Sequence, residues 1–159
     1  PLAERAANGQ LLAEMNKIRD LMTVAAGMAE SEQEAKTRSQ AVPKIAAVFE
    51  PMDYETTSGR QVKKEEVDIV ARMVSMGKFH RTFAGSGLYC LAAAAVLPGT
   101  VPNRLARYED SIQRTIRIGH PDGVAEIRVT LTGDRSDIAS VGLDRTARRM
   151  MRGELFIPD

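Results

Sequence analysis

Two histidines, His80 and His120, a lysine, Lys78, and the run Gly85-Ser86-Gly87 are the residues of this sequence best placed to do chemistry. The glycines and Ser86 stand directly before an apolar run with helical character. A helix start carries unpaired N–H groups and the positive end of the helix dipole, so it favours an anion. Glycine lets a ligand approach that backbone closely, and Ser86 adds a hydroxyl, which together make a carboxylate cradle. The same residues also suit a tight strand-to-helix turn in which Ser86 only caps the helix. Lys78 and Arg81 could pair with a di- or tricarboxylate or lie in solvent as loop charges. Each histidine could orient a carboxylate, relay a proton or serve as a hydrogen-bonder of its turn. Two histidines without a paired carboxylate motif make a poor zinc-type site, and no metal is expected.

Elements must hold these residues in place. Residues 88–97 are all apolar or tyrosine, which predicts a helix with no water-facing side. The run is too short for a membrane span, which takes roughly 18 residues or more, so burial in the core is expected. Cys90 would then be a buried thiol acting as a small hydrophobe. Residues 9–29 form an amphipathic helix with Leu11, Met15, Ile18, Met22 and Ala25 as its apolar stripe. Residues 30–39 are polar, a linker or an exposed continuation of that helix. "VPKIAAVFE" reads as a buried strand closed by Pro51, and "DYETTSGRQ" as a loop turning at Ser58-Gly59. Val67, Ile69, Ala71, Met73 and Ser75 share one parity and favour a strand. "TIRIGHPDGVAEIRVTLTG" alternates on both sides of Gly119-His120-Pro121-Asp122-Gly123, a hairpin. The tail predicts two further strands with a turn near Leu143-Asp144. Met73, Met76, Met150 and Met151 read as core or cleft wall, and the arginines from Arg145 to Arg152 as a solvated face or oligomer contact.

The expected fold class is therefore α+β: a curved, mostly antiparallel sheet rolled around a central apolar helix. Residues 1–41 would be helix and linker and 42–159 the sheet-and-helix core of one domain. With 159 residues and a net charge of +1, the chain gives no case for a nucleic-acid or membrane partner. One cysteine excludes an intrachain disulfide, and with no targeting segment visible a cytoplasmic setting is expected. The first residue is Pro1, which suits either processing or a fragment.

"SMGKFHRTFAGSG", then the alanine-rich helix and "LPGT", then "RIGHPDG" and "RTARRMMRGELFIP", resemble the C-terminal half of the PrpF family. The resemblance runs from about Leu11 to Pro158. It implies the diaminopimelate epimerase fold, in which the central helix points its start at substrate carboxylates. It also implies a cofactor-independent isomerase or tautomerase of unsaturated tricarboxylates such as 2-methylaconitate, aconitate or 4-oxalomesaconate. Substrate contacts would come from Met76, Gly77, Lys78, Gly85, Ser86, Gly87, Asp122 and Gly123, with His80 and His120 in support. The base would belong to an N-terminal domain of the same protein, absent here, so that these residues alone would be folded but inactive. Ala84 stands where epimerase-type members have a catalytic cysteine, which argues against cysteine-pair racemisation. Asp122 stands where the family commonly has serine, and a carboxylate facing a polyanionic substrate would repel it. The reading from another class is a non-catalytic anion-binding or homo-oligomerisation module.

Overall fold

The computed structural model describes residues 9–154, 156 and 157. Helices α1 (Gly9–Ala25) and α2 (Glu32–Arg38) precede strand β1 (Ile45–Phe49) and a small hairpin of β2 (Tyr54–Glu55) and β3 (Gln61–Val62). Then come β4 (Ile69–Ser75), β5 (Lys78–Phe79), α3 (Gly85–Val96) and α4 (Val101–Leu105). The hairpin of β6 (Gln113–His120) and β7 (Gly123–Leu131) follows, with β8 (Ile138–Leu143) last. The fold is α+β, with a six-stranded sheet in the order β1-β4-β6-β7-β8 and β5 beside β4. Its pairings are antiparallel except β4 with β6. Parallel neighbours require a crossover, and α3 lies within it.

One parity of the central strands faces α3. Ile69, Ala71 and Met73 of β4 and Ile116 and Ile118 of β6 pack with Leu88, Leu91, Ala92 and Ala95 into the main core. The opposite face carries Val70, covered with Val62 and Val67 by the ring of Tyr54 from the β2–β3 hairpin. The β4–β6 register spans only Ile69↔Ile118 and Val70↔Gly119, and Asp68 clamps it. The Asp68 carboxylate accepts from the Arg117 main-chain N–H at 2.8 Å and from its guanidinium at 2.6 and 3.1 Å. Asp68 N–H in turn donates to the Arg117 carbonyl at 2.8 Å.

Several sequence expectations are corrected here. Helix α3 does have a water-facing side: Ser86, Tyr89 and Cys90 are exposed, so Cys90 is no buried hydrophobe. The reason is that α3 lies on one face of the sheet, with an apolar groove of about 820 Å³ left between it and β1. On α1 the stripe is only partly inward. Met15 is buried, but Ile18 and Met22 are exposed while Arg19, Asp20 and Thr23 are buried. Arg19 turns in because it donates to the carbonyls of Ala35 and Ser39, the otherwise orphaned end of α2. The polar segment 30–39 is neither linker nor continuation but that separate helix, started by Ser31, whose hydroxyl accepts from Glu34 N–H. Among the described residues the tail forms one strand, β8, rather than two, and Met150 and Met151 are exposed. Among the described residues no helix is long and apolar enough to cross a membrane.

Candidate functional site

Strand β4 gives one of its edges to two neighbours. Its first half pairs with β6 and its last residues with β5, through Val74↔Phe79 and Ser75↔Lys78. His80 extends β5, its main-chain N–H donating to the Met73 carbonyl at 2.8 Å. His120 ends β6, two residues beyond Ile118. Side chains alternate across a strand, so His120 shares the α3-facing parity of Ile116 and Ile118. Phe79 lies on the other face, stacked on the Arg72 guanidinium at 4.8 Å, which puts Lys78 and His80 on the α3 side. Lys78, His80 and His120 thus share one face at the fork between β5 and β6.

The start of α3 sits over the same place. A side chain on Gly87 would come within 2.1 Å of the Met73 methyl and 2.9 Å of the Phe83 ring, so the first helical turn rests directly on Met73. Nothing lies within 4 Å of a Cβ built on Gly85, which faces open space. The N-cap residue is Ala84 and makes no side-chain cap. The first helical hydrogen bond runs from Leu88 N–H to the Ala84 carbonyl at 3.0 Å. Among the described residues, the N–H groups of Gly85, Ser86 and Gly87 therefore have no hydrogen-bond partner. Ser86 is the second helical residue, exposed, and caps nothing. Of the two readings of this turn, the capping one finds no hydrogen bond to support it.

Both histidine rings are held by the chain just after them. Thr82 N–H donates to His80 Nδ1 at 3.2 Å, and Asp122 N–H donates to His120 Nδ1 at 3.2 Å. Burial holds the His120 imidazole below the ordinary histidine range; Asp122 pulls the other way, and neighbouring His80 adds to the lowering. The β6–β7 turn itself is pinned from the opposite face. Thr57 N–H donates to the Pro121 carbonyl at 2.7 Å, and the Thr57 hydroxyl to the Asp122 carboxylate at 3.1 Å. Asp122 is thereby tied to the β2–β3 hairpin, while its charge still acts on the His120 ring. Gly123, at φ 148°, closes the turn, and its carbonyl accepts from Tyr54.

Met76 and Gly77 stand apart from this group. They form the left-handed turn between β4 and β5, at φ 53° and 71°, and line a separate hollow with Asn16, Arg19 and Lys36. The structure thus puts Lys78, His80 and His120 on the sheet face that carries the α3 start of Gly85, Ser86 and Gly87, with Asp122 and Gly123 in the turn after His120 and Met76 and Gly77 in a separate turn. Sequence reasoning passed over Thr82, Thr57 and Tyr54. A hydroxyl residue two positions after a turn histidine, and an aromatic inside a polar loop, were the available signals.

A bare helix start on the same sheet face as two imidazoles and an ammonium group is an arrangement that a small anion would suit, on an α+β scaffold. The PrpF protein family matches residues 2–158, and the chain belongs to it. It is 38% identical to the 3-methylitaconate isomerase of Eubacterium barkeri over 151 residues, covering 94% of this chain and 39% of that protein. It is 33% identical to the 2-methyl-aconitate isomerase of Shewanella oneidensis, covering 92% of this chain and 37% of that one. A crystal structure of methylitaconate-delta-isomerase superimposes with a TM-score of 0.83 at 38% identity, over 93% of this chain and 38% of that one. The chain spans about two fifths of the length of these relatives.

The family match corrects two expectations. The resemblance pointed to the C-terminal half alone, whereas the match runs through almost the whole chain. Nor do these residues hold a distinct N-terminal domain as a partner for the rest, since 2–158 are taken up by the match.

Proposed function

We propose that this protein is a cofactor-independent isomerase, working in the cytoplasm, that moves a proton across the allylic system of an unsaturated di- or tricarboxylate. The sheet, in this reading, curls about α3 as in diaminopimelate epimerase-like domains. A general base takes the proton from the carbon next to a C=C bond, and its conjugate acid returns a proton at the far end of the allyl system. Between the two transfers the charge spreads into a neighbouring carboxylate as a dienolate. Donors aimed at that carboxylate stabilise the charge as it develops and so lower the barrier.

The observation that carries this reading is the uncapped start of α3. Among the described residues three N–H groups there have no partner, and Lys78, His80 and His120 stand on the same side of the sheet. Asp122 is tied to the β2–β3 hairpin by Thr57, and its charge still acts on His120. The relatives' names extend the substrate range beyond tricarboxylates, because 3-methylitaconate has two carboxyl groups. Lys78 is exposed and suits a further carboxylate.

Incubation with 3-methylitaconate, 2-methylaconitate and 4-oxalomesaconate in deuterated buffer, followed by proton NMR, tests the proposal. The expected result is movement of the double bond in one of these acids, with deuterium entering the allylic carbon. Neither turnover nor carboxylate binding by any of the three would sink it.

A further inference from the structure

The two histidines of the site share a feature that the proposed reaction does not require and that limits what they can do. Each ring nitrogen Nδ1 faces a main-chain N–H two residues further along: Thr82 for His80 and Asp122 for His120, both at 3.2 Å. A main-chain N–H can only donate, so each Nδ1 must offer its lone pair. In a neutral imidazole the proton then resides on Nε2. Protonating either ring would set an Nδ1–H against the main-chain N–H and lose that bond. The Thr82 hydroxyl also lies 3.3 Å from His80 Nδ1 and can donate to it.

We propose that the site holds two neutral imidazoles, each locked as the Nε2–H tautomer by the main-chain N–H two residues further on, so that it presents two N–H donors and no imidazole base. Thr82 and Asp122 act here as positioning residues through their backbones. Among the described residues neither Nε2 is buried without a partner or engaged by another side chain, which leaves both N–H groups available to a ligand. On the carboxylate reading above, on which the choice of ligand rests, these two donors join the helix N–H groups. A neutral N–H donor can stabilise a developing dienolate without surrendering its own proton. That divides the labour within the site: the histidines hold the carboxylate, and neither of them takes the carbon-bound proton. The lowered proton affinity of His120, set mainly by its burial, agrees with a ring that stays neutral. Asp122 is the charged group that opposes this, and its engagement by Thr57 draws it toward the other hairpin.

The sequence has only two histidines, so a long-range proton–nitrogen correlation spectrum of the nitrogen-15-labelled chain resolves both rings, and a His80→Gln variant assigns them. At neutral pH each ring is expected to show an unprotonated Nδ1 and a protonated Nε2. An Nδ1–H tautomer, or shifts averaged between the two tautomers, in either ring would overturn the proposal. Thr82→Val keeps the main-chain donor and should leave His80 as the Nε2–H form; loss of that form would show that the hydroxyl, not the backbone, sets the tautomer. Adding 3-methylitaconate should then move the Nε2 resonances and leave Nδ1 nearly unchanged. Locked tautomers with no response to that acid would remove the carboxylate reading while the tautomer assignment stood, so the two failures are separable.

Discussion

The hydroxyl of Tyr54 donates to the carbonyl of Gly123 at 2.6 Å, from a ring that also fills the space where Gly119 would carry a side chain. One residue of the small hairpin thus fixes both ends of the turn that presents His120. Burial pushes the Tyr54 phenol up to about 12, so it remains a protonated donor across the working pH range. Tyr54→Phe should lower stability by about 1 kcal/mol, the typical worth of one such hydrogen bond. Gly119→Ala should cost more, about 1–3 kcal/mol. Its Cβ would lie 3.0 Å from the Tyr54 ring and hydroxyl and 3.1 Å from a Val67 methyl, all of them buried. Urea midpoints measured for both variants check the order. A neutral Gly119→Ala would mean that the hairpin is not seated on the sheet as described.

Gly85 and Gly87 should separate fold from function. Gly87→Ala drives a methyl into Met73 and Phe83 and should destabilise by about 1–3 kcal/mol. Gly85→Ala meets nothing within 4 Å and should stay within about 0.5 kcal/mol of the parent. It nevertheless places a methyl beside the free N–H groups, so affinity for 3-methylitaconate should fall. Thermal melts and ligand titration of the two variants give the comparison. An unchanged affinity in Gly85→Ala would take the helix start out of the binding site.

What could be read from the residue pattern, and what could not, follows the range of the forces involved. The β6–β7 hairpin was legible because alternation and turn chemistry are local, and the structure only tightens the turn to Pro121-Asp122. The β4 parity was legible for the same reason. Apolarity on every side of residues 88–97 suggested full burial, but composition carries no record of how far a sheet wraps, and Tyr89 and Cys90 remain exposed. On α1 the periodicity of Ile18 and Met22 pointed inward, and Arg19 overrode it by satisfying the carbonyls of α2, a contact made 16 and 20 residues away. At the site, residue types were readable one by one. That Lys78, His80 and His120 share a face depends on β4 pairing with both β5 and β6, which is a non-local fact.

Met76 offers a stabilising change. It is exposed, sits at φ 53° in the β4–β5 turn, and a residue other than glycine or asparagine is disfavoured there. Met76→Asn should raise stability by about 0.5–1 kcal/mol. Because this turn lies outside the α3-facing group, the affinity for 3-methylitaconate should not change. A large loss of affinity would bring Met76 back into the site.

The last expectation concerns acid. His120 is held below its ordinary pKa by burial, with His80 adding to this and Asp122 opposing it. The unfolded chain carries this histidine at about 6.5, so between the folded value and that point the unfolded state binds more protons. Stability then rises with pH across this window. The contribution is complete above about pH 6.5 and is lost as pH falls through the folded value. The carboxyl groups of Asp53 and Glu66 are themselves lowered, by hydrogen bonds from Lys64 and Lys63 N–H respectively. Their contributions are lost only at and below their ordinary values near 4. Melting temperatures of the parent and of His120→Gln, measured at pH 7 and pH 5, should therefore diverge. The parent should lose more on acidification, and the difference between the two isolates His120. Equal losses would show that His120 charges in the folded protein as freely as in the unfolded one, which its position against the buried end of β6 does not allow.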